Sequence, residues 1–187
     1  MSEEFLKYFP ELTDVQKNRF LELKTIYDRW NQMINVISRK DMDNFYIHHV
    51  LHSMAIGKII SFTPGSTILD VGTGGGFPGI PLAILFPDSE FTLLDSISKK
   101  IKVVMSVREE LRLDNVVPVC KRAEEIKDRY HFVVSRAVTQ FPEFVKIVRK
   151  NILRDSNNEL PNGIIYLKGG DLTEELEIGR ASCRERV

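Results

Sequence analysis

The stretch Thr67-Ile68-Leu69-Asp70-Val71-Gly72-Thr73-Gly74-Gly75-Gly76-Phe77-Pro78-Gly79 constrains the chain most, because five of the eight residues from Gly72 to Gly79 are glycine. An apolar, β-branched run leads into an acid, the glycines follow, and the apolar segment Ile80 to Phe86 is stopped by Pro87-Asp88. The pattern predicts strand, ligand-sized loop, helix. Glycine lets a backbone approach a ligand with no Cβ between them, and it reaches positive φ without strain. Pro78 and Pro81 fall near the first turn of the predicted helix, where a missing N–H costs little.

Two ligands suit such a loop. Gly74-Gly75-Gly76-Phe77-Pro78-Gly79 fits the dinucleotide pattern G-x-G-x-x-G, with Asp95 at a suitable distance for a ribose-binding acid. Asp70 with Gly72, Gly74 and Gly76 fits D-x-G-x-G-x-G, the pattern of S-adenosylmethionine (SAM) methyltransferases. Charge favours the second. A carboxylate two residues before the first glycine repels a pyrophosphate but attracts an ammonium or sulfonium. A nicotinamide-dependent oxidoreductase and a non-catalytic SAM- or nucleotide-binding module stand as the alternatives. A turn with no ligand is disfavoured, since so many glycines weaken a fold that gains nothing from them.

Upstream, Thr13-Asp14-Val15-Gln16 is a capping-box signature opening a long helix. Phe20, Leu23, Ile26, Tyr27, Trp30 and Ile34 then recur at helical spacing. Ser38-Arg39-Lys40-Asp41 starts a second predicted helix running to about Ile60. Its His48, His49 and His52 invite a metal reading, but no third ligand or HExxH glutamate accompanies them and His49 lies on another face. A polar, substrate-facing edge fits better, and no metal is expected.

Downstream, Glu90 to Asp95 reads as a second strand, Lys99 to Leu113 as a helix and Asn115 to Cys120 as a third strand, with Cys120 expected in the core. Phe132 to Val138 is a fourth strand, Gln140 to Asn151 a helix and Gly163 to Gly170 a fifth strand. Strands alternating with helices imply right-handed crossovers and a parallel sheet. Asp70, Asp95, Glu124, Arg136 and Lys168 then fall at strand carboxyl ends, on the edge that lines a ligand crevice. There Asp95 suits a ribose diol, with the cap of the next helix as its other reading. A cation in Arg136's position suits ligand or substrate contact.

A length of 187 residues predicts one domain with a small extension. The acidic N-terminus and the lack of an eighteen-residue apolar run predict a cytoplasmic protein with no membrane partner. Formal net charge is zero, so any nucleic-acid binding depends on local patches, with Arg39, Lys40, Lys121 and Arg122 as candidates. Residues 179–187 have neither helical nor strand period and read as a vector-derived tail.

These residues together resemble the bacterial small-subunit rRNA guanine-N7 methyltransferases, also called glucose-inhibited division protein B. The resemblance rests on Trp30-Asn31 with Ile34-Asn35, on His49-Val50-Leu51-His52-Ser53, and on Asp70 through Pro81. It continues through Leu93 to Ser96, Arg122 to Glu125, Ser135 to Val138 and Leu167 to Gly169. It implies an α/β fold: a Rossmann-like class I SAM-dependent methyltransferase sheet over residues 63–178, under an N-terminal helical cap over residues 1–62. The implied reaction is methylation of guanine N7 in 16S rRNA, on the free RNA or the small ribosomal subunit, by a monomer using SAM. The expected cofactor contacts are Asp70, Gly72, Gly74, Gly76, Phe77, Asp95, Ala123, Glu124 and Arg136, and the expected substrate contacts Arg39, His49, Ser53 and Lys168. Two residues depart from the family pattern: His48 replaces a usual Arg, and His131 a common Asp. The family's closing antiparallel strand pair has no counterpart after Glu177, so the C-terminal strands are expected to be missing.

Overall fold

A computed structural model describes residues 4–136 and 140–169, with the side chains of Glu4 and Arg39 outside the described set. Over this span the strands are β1 (Thr67–Val71), β2 (Glu90–Asp95), β3 (Val116–Cys120), β4 (Phe132–Arg136) and β5 (Gly163–Leu167). All pair in parallel, in the order β3-β2-β1-β4-β5. β1 is central, with Asp70 level with Leu93 on one side and Val134 on the other. Such a sheet needs cover on both faces. Alternate strand residues supply it: Ile68, Phe91, Leu93, Phe132 and Val134 join one buried cluster, and Leu69, Val71, Leu94 and Val133 the other.

The helices are α1 (Glu4–Tyr8), α2 (Asp14–Met33), α3 (Arg39–Met42), α4 (His52–Met54), α5 (Gly79–Leu85), α6 (Ser98–Glu110) and α7 (Phe141–Val148). Thr13 caps α2 as the sequence predicts: Gln16 N–H donates to Thr13 Oγ1 at 3.3 Å, and Thr13 N–H donates to Gln16 Oε1 at 2.9 Å. The Gln16 amide also donates to Ile84 O and Leu85 O, both at 3.0 Å, satisfying carbonyls that the end of α5 leaves open. Trp30 Nε1 donates to Ser106 Oγ on α6 at 2.9 Å. Phe20, Leu23, Ile26 and Tyr27 are the buried stripe of α2 and belong to the cluster that includes α5 and α6. Phe144 and Val148 of α7 fill the opposite face.

The predicted helix from Ser38 to Ile60 is instead four short pieces. α3 is followed by a π-helical turn, Tyr46–Leu51, then α4, then a 3-10 turn, Ala55–Lys58. Tyr46, Val50 and Met54 are all buried, and a strict spacing of four outruns the 3.6 residues of an α-helix. The wider turn keeps them on one face. Cys120 is also corrected: it ends the edge strand β3 and is exposed rather than in the core. β4 is described to Arg136 only. The predicted extension to Val138, Gly170 and the tail lie outside the described residues. No described helix is long and apolar enough to cross a membrane.

Candidate functional site

A cavity of about 560 Å³ opens at the carboxyl ends of β1 to β4, with Gly72, Asp95, Ile97, Glu124, Arg136 and Phe144 on its walls. The glycine loop borders it between β1 and α5. Gly72, Gly74 and Gly76 have φ of 70°, 59° and 107°, which a side chain would strain. Gly79 is needed for space instead: a Cβ there would lie 2.7 Å from both Asp70 Oδ2 and Leu93 Cγ.

Asp70 is fully buried, and its Oδ2 accepts from Thr73 Oγ1 at 2.6 Å and from Gly79 N–H at 2.8 Å. That carboxylate therefore ties both ends of the loop together. Its Oδ1 is buried with no partner among the described residues. Burial pushes the carboxyl up to about 7, against the opposing pull of those two hydrogen bonds. Direct contact with a ligand's ammonium, which the charge argument suggests, is not what this placement offers.

Asp95 is nearly buried at the end of β2. Oδ2 accepts from Gly74 N–H at 3.0 Å and lies 3.7 Å from Lys100 Nζ, while Oδ1 accepts from Ile97 N–H at 2.9 Å. It thus joins the glycine loop to the approach of α6 and still faces the cavity with lone pairs to spare. The helix-cap reading is corrected: the N-cap of α6 is Ile97, which has no side-chain cap bond, and Asp95 only closes the turn before it. Ala123 and Glu124 form a 3-10 turn after β3 and line the same cavity.

Arg136 joins this cavity to the helical layer. Its guanidinium donates to His48 O at 3.2 Å and to His49 Nδ1 at 3.1 Å, and lies 5.4 Å from the centre of the Phe77 ring. A guanidinium only donates, so His49 Nδ1 accepts and its ring proton sits on Nε2. Burial, with the Arg136 charge second, lowers His49 to about 4. His49 Nε2 is buried without a partner among the described residues, and the ring stands 5.2 Å from Phe77. Phe77 is itself buried and packs on Tyr27, so it supports the loop from behind.

Of the expected substrate residues, His49 stands beside Arg136. Ser53 is fully buried, and its hydroxyl donates to His49 O within the helical segment at 2.6 Å, so it presents nothing to a substrate. Lys168 follows β5, on the same edge of the sheet as Arg136. Arg39 is the first residue of α3, and its side chain is outside the described set.

Two residues without an assigned role in the sequence reading shape the loop. Tyr27 donates its hydroxyl to Gly75 O at 2.5 Å. Burial raises its pKa, so it stays a donor. Asn31 accepts from Val36 N–H and Ile37 N–H at 2.9 and 3.0 Å, and donates to Ile37 O at 2.7 Å. This turn sets Val36 Cβ 3.3 Å from the position a Cβ on Gly75 would take. Nothing in the helical spacing of Tyr27 separates it from an ordinary core residue. Asn31 has a signal, a polar side chain just before the helix end.

The family described as rRNA small subunit methyltransferase G matches residues 16–186. The ribosomal RNA small subunit methyltransferase G of Flavobacterium johnsoniae is 57% identical over 175 residues, covering 94% of this chain and 84% of that protein. The Porphyromonas gingivalis protein of that name is 56% identical over 171 residues, 91% and 77% of the two lengths. Among solved structures, the chain is similar to the precorrin-6y C5,15-methyltransferase of Geobacter metallireducens, with TM-score 0.52, 13% identity, and 69% and 66% of the chains covered. It is also similar to a fibrillarin/Nop5p complex structure, with TM-score 0.55, 12% identity, and 73% and 68% covered. At such identities the likeness is one of fold, the Rossmann-like sheet of class I methyltransferases.

Proposed function

We infer the activity from family membership: this chain belongs to the rRNA small subunit methyltransferase G family. It is accordingly a SAM-dependent methyltransferase of small-subunit rRNA, and we propose that the acceptor is N7 of a guanine in 16S rRNA. The observation that carries the cofactor reading is the cavity bounded by the Gly72 backbone, Asp95 and Glu124 beside the glycine loop. Its volume, about 560 Å³, falls within the ~300–1,000 Å³ of small-molecule sites. Its donor set suits an adenosine with a zwitterionic tail: carboxylates for hydroxyls and amines, backbone groups at the loop, and the Arg136 guanidinium for a carboxylate.

When bound, SAM supplies an electrophilic methyl group on a sulfonium. In our reading Asp95 holds the ribose diol, Ala123 and Glu124 wall the adenosine side, and Arg136 holds the tail. Asp70 keeps the loop closed against them. N7 of guanine carries a lone pair and no proton, so no residue of this chain has to act as a base on it. The protein's contribution is orientation. The helical layer, residues 1–62 in this proposal, holds the glycine loop from behind through Tyr27, which bonds Gly75 and packs on Phe77, while residues 63–178 form the methyltransferase domain. The protein acts as a monomer in the cytoplasm on rRNA or the small subunit, with Arg39, Lys40, Lys121, Arg122 and Lys168 as RNA contacts.

The test is methyl transfer from labelled SAM to 16S rRNA and to small subunits from cells lacking the enzyme, followed by nucleoside analysis. Label in 7-methylguanosine is the expected result. Label in another nucleoside, or none, would overturn the N7 assignment. A protein that binds NAD but not SAM would overturn the cofactor reading.

A further inference from the structure

Beyond the cofactor cavity, one groove gathers cations without acids. Arg129, Arg149, Lys150 and Arg154 line it together with Ile152 and Leu153. All four basic residues are exposed. None is ion-paired among the described residues; Lys150 Nζ donates to the Glu124 carbonyl at 2.5 Å. Asp128 and Asp155 are neighbours in sequence but do not line the groove. In a chain of zero net charge, such a gathering makes a local positive potential that the overall composition hides.

The scaffold beneath is fixed. Tyr130 N–H donates to Asn151 O at 2.8 Å and Leu153 N–H to Tyr130 O at 2.9 Å. The Asn151 amide, buried, donates to Ile126 O at 3.0 Å and Asp128 O at 2.7 Å. These bonds stitch the segment carrying Arg129 to the segment carrying Arg149 and Arg154. The groove also adjoins the cavity: Ile147 lines the cavity and Arg149 the groove, and Lys150 bonds the backbone of cavity-lining Glu124.

We propose that this groove binds the phosphate backbone of the same rRNA whose guanine enters the cofactor cavity. The proposal rests on the rRNA methyltransferase reading and adds a second contact surface to it. The groove lies beside the amino end of β4 and meets the cavity where Lys150 bonds the Glu124 backbone, so one RNA strand can reach both. Phosphates are the matching chemistry because the groove offers several charges and few fixed hydrogen-bond acceptors. Contacts of that kind set position without reading bases.

The test is the triple charge reversal R129E/R149E/R154E in the full chain, which spares Lys150 and its backbone bond. SAM affinity should match the parent, showing an intact fold. Affinity for 16S rRNA at about 0.1 M salt should fall tenfold or more, and the slope of log affinity against log salt should shrink by about two, as expected for three lost single-strand phosphate contacts. The KM for RNA should rise with the rate at saturating RNA little changed. A control triple, K7E/K99E/K102E, changes net charge equally at exposed sites elsewhere. RNA affinity within twofold of the parent at every salt concentration would overturn the groove, as would an equal loss in the control. A parent protein that methylates rRNA while the variant matches it removes the groove alone. A parent that transfers no methyl group to rRNA removes the underlying reading as well.

Discussion

At Asp70, burial and hydrogen bonding pull in opposite directions, and burial wins. Unfolded, the side chain loses its proton near 3.8; folded, it keeps it to about 7. Between those values the folded state binds more protons, so raising the pH removes stability, and above 7 no more is lost. Removing the titratable group by Asp70→Asn should therefore make unfolding free energy less dependent on pH, by up to about 4 kcal/mol across that window. Urea unfolding of both proteins at pH 5 and pH 8 measures it, and an equal parent-to-variant offset at the two values would refute it. The same variant should weaken SAM and adenosine alike, about tenfold by calorimetry, because a loosened loop harms both. Selective loss of SAM would instead assign Asp70 to the methionyl end. His49 titrates with the opposite sign. Its pKa falls from 6.5 to about 4 on folding, so stability is present above 6.5 and lost as pH falls towards 4. His49→Gln should flatten that acid limb, and the imidazole proton shifts of the parent should titrate near 4 rather than 6.5.

Among the elements, the strand–loop–helix around the glycines depends on α2 as much as on its own residues. Tyr27→Phe leaves Gly75 O without its buried donor, which should cost about 1–3 kcal/mol of stability and weaken SAM binding without altering the RNA salt dependence. Gly79→Ala brings a methyl group within 2.7 Å of Asp70 Oδ2 and Leu93. Overpacking of this kind costs about 1–3 kcal/mol, and denaturant midpoints should show it. The sheet was legible in the sequence because short β-branched runs alternate with helical stripes, and because acids and Arg136 stand where those runs end. The pieces between Ser38 and Ile60 were not, since apolar residues four apart fit a continuous helix and a π-turn equally well. Nor could the pattern around Asp70 show which way its charge points; only the packing of Thr73 and Gly79 against one oxygen decides that. Cys120 was misread because an apolar run does not reveal which strand lies at a sheet's edge.

Taken whole, the molecule shares one core between the helical layer and the sheet, and it carries a reporter for that union. Trp30 is the single tryptophan, and its indole bonds α2 to α6. Fluorescence of Trp30 and far-ultraviolet circular dichroism should follow one denaturation curve. An earlier fluorescence transition would make α2 a separable layer. The bond between the Gln16 amide and the last carbonyls of α5 has a consequence in time. Those carbonyls are 68 and 69 residues further along the chain, and the Ser106 that meets Trp30 is 76 residues beyond it. During synthesis, then, Phe20 can meet Phe5 and Tyr27 can meet Phe45 early, but the contacts of α2 with α5 and α6 wait until about seventy further residues have followed. At about 5–20 residues per second that wait lasts seconds, during which the side of α2 that α5 and α6 will cover depends on other cover, such as a chaperone.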